Sequence, residues 1–163
     1  MRLALYEPDI AQNAGTMLRM AACLGIAVDF IEPAGFVPTD KGLRRAGMDY
    51  LPAARMTRHE SFDAFDRWRR DAGHRLVLLT TKASTTHIAF AYQPSDILMV
   101  GRESAGVPDR VHDVADAEVR IPMQAGMRSL NVAISAAMVL GEALRQTDGF
   151  PVAPAPIEMP GSA

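Results

Sequence analysis

The chain has 163 residues and one cysteine, Cys23, which excludes an internal disulfide framework and a thiolate metal cluster. Cys23 falls in a helical apolar run, which predicts a small buried residue rather than a reactive thiol. An excess of either charge is also lacking. Seventeen Lys and Arg face nineteen Asp and Glu, a formal charge of −2, so no overall basic field advertises a nucleic-acid partner and a local patch would have to serve. No apolar stretch approaches a membrane span and no basic-then-apolar leader opens the chain, so the expectation is a soluble, cytoplasmic protein with no membrane partner. The usual nucleotide signatures, G-x-G-x-x-G and G-x-x-x-x-G-K-[ST], are missing. So are H-E-x-x-H and the nucleophile elbow G-x-S-x-G, while His59, His74, His87 and His112 are scattered.

The length suits one domain with a normal core. Short apolar runs alternate with helical patterns, which predicts an α/β fold with a mostly parallel sheet over residues 1–147. Strands are expected at "RLALYE", "IAVDFIEP", "RLVLLTT", "DILMVG" and "AEVRIPM". Helices are expected at "IAQNAGTMLRMAACLG", closed by Gly25, at "TDKGLRRAGMDY", and at "SFDAFDRWRRDAG", between a Ser61 cap and Gly73. A last helix is expected to begin near Ser129, and residues 148–163 form a Pro-rich, aperiodic tail.

That last helix is almost wholly apolar, so it must be covered on most sides by the core, by another subunit, or by both. Ser129 has the chemistry of an N-cap. A cap requires only Ser129, which leaves Asn131 unexplained. In open α/β sheets ligands sit beyond the carboxyl ends of the strands. Polar and glycine residues gather there: Glu7, Asn13 and Arg19; Thr80, Thr81 and Lys82; Gly101, Glu103 and Gly106; Gly126, Arg128, Ser129 and Asn131. Each loop alone is equally an ordinary turn, and Arg19 alone reads first as an exposed helix arginine. Small neighbours of Arg19 on its helix face (Gly15, Thr16, Ala22, Cys23) leave space for a phosphate, which a guanidinium grips through two hydrogen bonds.

Taken together the segments resemble the SPOUT superfamily of S-adenosylmethionine-dependent RNA methyltransferases, in its ribose 2′-O branch. "NAGTMLR" is similar to the first motif, with Asn13, Gly15 and Arg19; "LMVGRESAGVP" to the second, with Gly101, Glu103 and Gly106; "IPMQAGMRSLNVAISAAMVL" to the third, with Ser129 and Asn131. "LYEPDIAQNAG", "IEPAGF", "LRRAGMDY" and "LTTKA" resemble the short subgroup acting on the tRNA wobble nucleotide. Thr16 departs from the Asn of many relatives and Val107 from the usual Leu.

The resemblance implies a single α/β domain with a C-terminal trefoil knot, working as a homodimer on tRNA. It implies S-adenosylmethionine as methyl donor, held mainly by backbone groups at Leu79, Thr80, Gly101, Glu103, Ile121, Met123 and Ser129. It further implies activation of a ribose 2′-hydroxyl by Arg19, with Asn13, Ser129 and Asn131 holding the arginine and ribose in register and no metal needed. A guanidinium stays protonated near neutral pH, so Arg19 is better suited to clamp the adjacent phosphate than to act as a base. The best local basic surface is Lys41, Arg44, Arg45, Arg55 and Arg58. A second cluster, Arg67, Arg69 and Arg70, is diluted by Asp63, Asp66 and Asp71. The alternatives are 2′-O-methylation of another RNA, such as ribosomal RNA, and a non-catalytic RNA-binding dimer of the same fold.

Overall fold

The computed structural model describes residues 1–36 and 55–152. Six strands form one sheet: β1 (Arg2–Tyr6), β2 (Ala27–Ile31), β3 (Met56–His59), β4 (Leu76–Leu79), β5 (Ile97–Val100) and β6 (Ala117–Val119). Their order is β3-β2-β1-β5-β4-β6 and every pairing is parallel. The central strands are apolar at successive positions because each side of such a sheet is covered. Leu3 and Leu5 of β1 pack with α1 (Ala11–Cys23) and α4 (Val132–Gln146), while Ala4 and Tyr6 pack with α2 (Phe62–Asp71) and α3 (Asp109–Val114).

Five strands were expected and the described residues contain six. The extra one, β3, is an edge strand whose Met56, Thr57 and Arg58 are exposed and only His59 is buried, so no apolar run announces it. α3 buries only Val111 and was equally unannounced. The Ser61 cap forms as expected, its hydroxyl accepting from the Ala64 N–H at 3.2 Å. Gly25 closes α1 at φ +68°, with the Ile26 N–H reaching the Ala21 carbonyl at 2.8 Å across a left-handed turn. Cys23 corrects the expectation of burial: it is exposed, 200° around α1 from the buried Ala21. The helix expected at residues 39–50 lies outside the described residues, as does most of the tail. Among the described residues no helix is long and apolar enough to cross a membrane.

A buried ion cluster ties the edge to the centre. Asp29 of β2 is fully buried; it accepts from Arg2 through Nε at 2.7 Å and Nη2 at 2.8 Å, and lies 3.0 Å from His59 Nε2. The Arg2 guanidinium also lies over the Trp68 ring of α2 at 4.8 Å. Removing the carboxylate strands a largely buried guanidinium, so Asp29→Ala is expected to cost about 3 kcal/mol of stability. Urea unfolding measures this; a loss below about 1 kcal/mol, the value of an exposed pair, would contradict it.

Candidate active site

β1 and β5 are neighbours, yet the helices that follow them leave to opposite faces of the sheet: α1 joins the cluster of Leu3 and Leu5, α3 that of Ala4 and Tyr6. The divergence opens a crevice at the carboxyl ends of these two strands. The loop after β5 turns sharply, with the Arg102 N–H donating to the Gly106 carbonyl at 3.0 Å and the Gly106 N–H to Arg102 at 2.9 Å. Glycine is required at both ends. A Cβ on Gly101 would stand 2.7 Å from the Gly106 carbonyl carbon, and Gly106 has φ +67°.

A cavity of about 480 Å³ lies here, within the range of small-molecule sites. All seven residues expected around a donor line it: Leu79, Thr80, Gly101, Glu103, Ile121, Met123 and Ser129. Asn13 and Asn131 line it as well. Arg19 does not; it is exposed on α1, six residues beyond Asn13. Thr16 donates its hydroxyl to the Gln12 carbonyl at 2.9 Å, so it is engaged with its own helix.

One chain of hydrogen bonds crosses the three loops. Asn131 Nδ2 donates to Asn13 Oδ1 at 3.0 Å, and Asn13 Nδ2 donates to Glu103 Oε1 at 3.0 Å. The expected cap is corrected here. α4 begins at Val132, and Asn131 rather than Ser129 is its N-cap, with Oδ1 accepting from the Ala133 N–H at 2.9 Å and the Ile134 N–H at 3.2 Å. Asn and Ser cap equally well, and only Asn has a second polar atom left to reach Asn13. Ser129 stays two residues upstream, in the cavity wall.

Glu103 leans on a second carboxylate that the sequence reading passed over. The Asp9 N–H donates to Glu103 Oε2 at 3.2 Å, the Glu103 N–H returns to Asp9 Oδ1 at 3.1 Å, and Ser104 Oγ donates to Asp9 Oδ2. A hydrogen bond from Glu103 holds the Asp9 carboxyl well below its usual range. Burial first, then the neighbouring Asp9, push Glu103 up. Arg102, also not singled out, lines the cavity and reaches Glu7 Oε2 at 3.4 Å.

Of the expected basic surface, Arg55 and Arg58 are described and exposed. Arg55 donates to the Gly25 carbonyl and Arg58 to Glu32. Lys41, Arg44 and Arg45 lie outside the described residues. The second cluster is largely structural: Arg69 is buried, bonded to Asp66 at 2.7 Å, Asp116 at 2.8 Å and the Val114 carbonyl at 2.8 Å. Arg70 is bound to Asp66 at 2.9 Å.

Comparison with known proteins places the sequence and the fold. Residues 1–141 match the model of the SpoU rRNA Methylase family. The chain is 59% identical over 150 residues to a tRNA (cytidine(34)-2′-O)-methyltransferase of Ancylobacter novellus, covering 92% of this chain and 95% of that one. It is similar to a solved structure concerned with 2-OH methylation of C/U34 on tRNA, at 36% identity and TM-score 0.84, covering 89% of this chain and 94% of the other. An AdoMet-bound rRNA methyltransferase from Sinorhizobium meliloti superposes with TM-score 0.81 at 29% identity over 88% of this chain and 55% of its own. Fold, cavity and sequence thus converge, and the chain belongs to the SpoU rRNA methylase family.

Proposed function

We propose that the chain transfers the methyl group of S-adenosylmethionine to the ribose 2′-hydroxyl of the wobble nucleotide of tRNA, cytidine or modified uridine at position 34. The observation that carries this reading is the hydrogen-bonded line Glu103–Asn13–Asn131, which joins α1 to the loops after β5 and β6 around one cavity. The likeness to the wobble-position enzymes, over nearly the full length of each, supports the substrate.

The residues present fit such a donor. The cavity has apolar walls in Val100, Val107, Ile121 and Leu130 for a flat ring, and loop backbone at Thr80, Gly101 and Met123 for its polar edges. A Cβ on Gly101 would strike the Gly106 backbone, so the turn lining the cavity keeps its shape only with glycine there. When bound, the donor supplies an electrophilic methyl group on a sulfonium, so the chemistry calls for neither a metal nor a covalent enzyme intermediate.

The chain's own task is then positioning and proton management. Arg19, outside the cavity on the helix that carries Asn13, holds the phosphate beside the target ribose and polarises its hydroxyl. The hydroxyl proton leaves to that phosphate or to water. Asn13 and Asn131, locked to each other, and Ser129 in the wall hold the ribose in register. Lys41, Arg44, Arg45, Arg55 and Arg58 supply the tRNA contact, the protein acts as a homodimer, and its substrate places it in the cytoplasm. Mapping 2′-O-methyl groups in total tRNA from cells with and without the protein tests the reading. Loss confined to position 34 is expected. Intact methylation there, or loss only in ribosomal RNA, would overturn it.

A further inference from the structure

Asp9 belongs to no segment assigned to the donor or to the reaction, and it does not line the cavity. It nonetheless sits where three loops meet. Its backbone N–H and one carboxylate oxygen form the reciprocal pair with Glu103, at 3.2 and 3.1 Å, and its other oxygen takes the Ser104 hydroxyl. On its far side the loop after β2 presses against it. The Gly35 N–H donates to the Pro8 carbonyl at 2.9 Å, and a Cβ on Gly35 would lie 2.7 Å from Asp9 Cβ. The side chain is only 15% exposed, and Arg102 Nε stands 3.7 Å from Oδ2.

These contacts have a direction. Glu103 spends one carboxylate oxygen on Asp9 and the other on Asn13, and Asn13 in turn receives Asn131. Displacing Asp9 frees the Glu103 side chain to rotate, and the two amides beyond it lose their register. A hydrogen-bonded line is only as ordered as its fixed end. That end is Asp9, clamped between Gly35 and the 101–106 turn.

We propose that Asp9 is a positioning residue for methyl transfer: it docks the loop after β1 onto the 101–106 turn and thereby sets Glu103, Asn13 and Asn131 at the cavity. The proposal rests on the functional reading above for the reaction, though not for the docking itself. Arg102 also faces the pair, its Nε 3.7 Å from Asp9 Oδ2, and reaches Glu7 on its other side.

The test compares wild type with Asp9→Ala, Asp9→Asn and Gly35→Ala. It uses calorimetry with S-adenosylmethionine, single-turnover methylation of tRNA, urea unfolding, and carboxyl-carbon NMR titration of Glu103. Asp9→Ala is expected to weaken donor binding at least about ten-fold, with a matching fall in transfer, because hydrogen bonds to a charged group are lost. Gly35→Ala, which pushes Asp9 from outside the cavity, is expected to do the same and decides the matter if Asp9→Ala does not fold. Asp9→Asn keeps an oxygen for the Glu103 N–H and removes the charge. It is expected to recover most of the donor affinity while the Glu103 titration moves to lower pH, the direction that losing a neighbouring anion requires. A purely structural role would lower unfolding stability without a matching loss of donor affinity. Donor binding unchanged in folded Asp9→Ala, or an unmoved Glu103 titration in Asp9→Asn, would overturn the proposal. If the wild type binds donor but methylates no tRNA, the functional reading fails while the binding and titration arms still decide the role of Asp9.

Discussion

Arg19→Ala is expected to slow methyl transfer by about 100- to 1000-fold, the usual cost of deleting a charge-stabilising donor at a reacting centre, while donor affinity stays within about two-fold. The two halves of this expectation come from different observations. Arg19 is exposed and absent from the cavity wall, so its side chain has nothing to lose against the donor. It shares α1 with Asn13, whose amide is fixed by Asn131 and Glu103, and six residues of helix span about 9 Å. That rise sets Arg19 well along the helix from Asn13, which lines the cavity. A clamp on phosphate works through geometry as well as charge, so Arg19→Lys, which keeps the charge and loses the planar fork, is expected to restore only part of the rate. Single-turnover kinetics with donor titration by calorimetry separates the two quantities. Transfer within two-fold of wild type in Arg19→Ala would remove the residue from the mechanism, and a matching loss of donor affinity would place it in the cavity instead.

The legible parts of this chain are those where one residue's surroundings decide its type. β1, β2, β4 and β5 show as apolar runs because both faces of a covered parallel sheet exclude water. The glycine turn after β5 shows because Gly101 and Gly106 are each forced by local backbone geometry. The illegible parts depend on who approaches. β3 is an edge with one buried side chain, His59, which is fixed by Asp29 of the neighbouring strand. Ser129 and Asn131 are equally good caps as residue types. Which of them caps is decided by Asn13, 118 residues away, accepting the spare amide hydrogen. Asp9 is illegible because its partner lies 94 positions along the chain, and no local pattern announces a pair of that separation.

A glutamate at position 134 is expected to convert the protein to a monomer and to abolish transfer with it. α4 is apolar on two sides. Ala133, Ala136, Val139, Leu140, Ala143 and Leu144 face the core, while Ile134 is 56% and Met138 42% exposed on the other side. Ala137 and Gly141 continue the outer stripe at helical spacing, and Met127 and Leu130 extend it past the helix start. A surface of this kind is an expected contact with a second copy. In a two-fold dimer the substituted position occurs twice, so each Ile134→Glu change removes apolar burial on both protomers and buries two carboxylates without partners. Lost burial alone is about 1.5–3 kcal/mol per isoleucine and an unpaired buried charge adds several more, enough to raise a dimer dissociation constant at least about a thousand-fold. Activity should fall with assembly because Leu130, Asn131 and Ser135, which line the cavity, sit at the same end of α4 as the exposed Ile134. An Ile134→Leu control keeps the apolar surface and is expected to remain dimeric and active. Analytical ultracentrifugation of the three proteins at assay concentration, beside their transfer rates, gives the answer. An unmodified protein that sediments as an active monomer, or an Ile134→Glu variant that is monomeric and fully active, would separate catalysis from assembly.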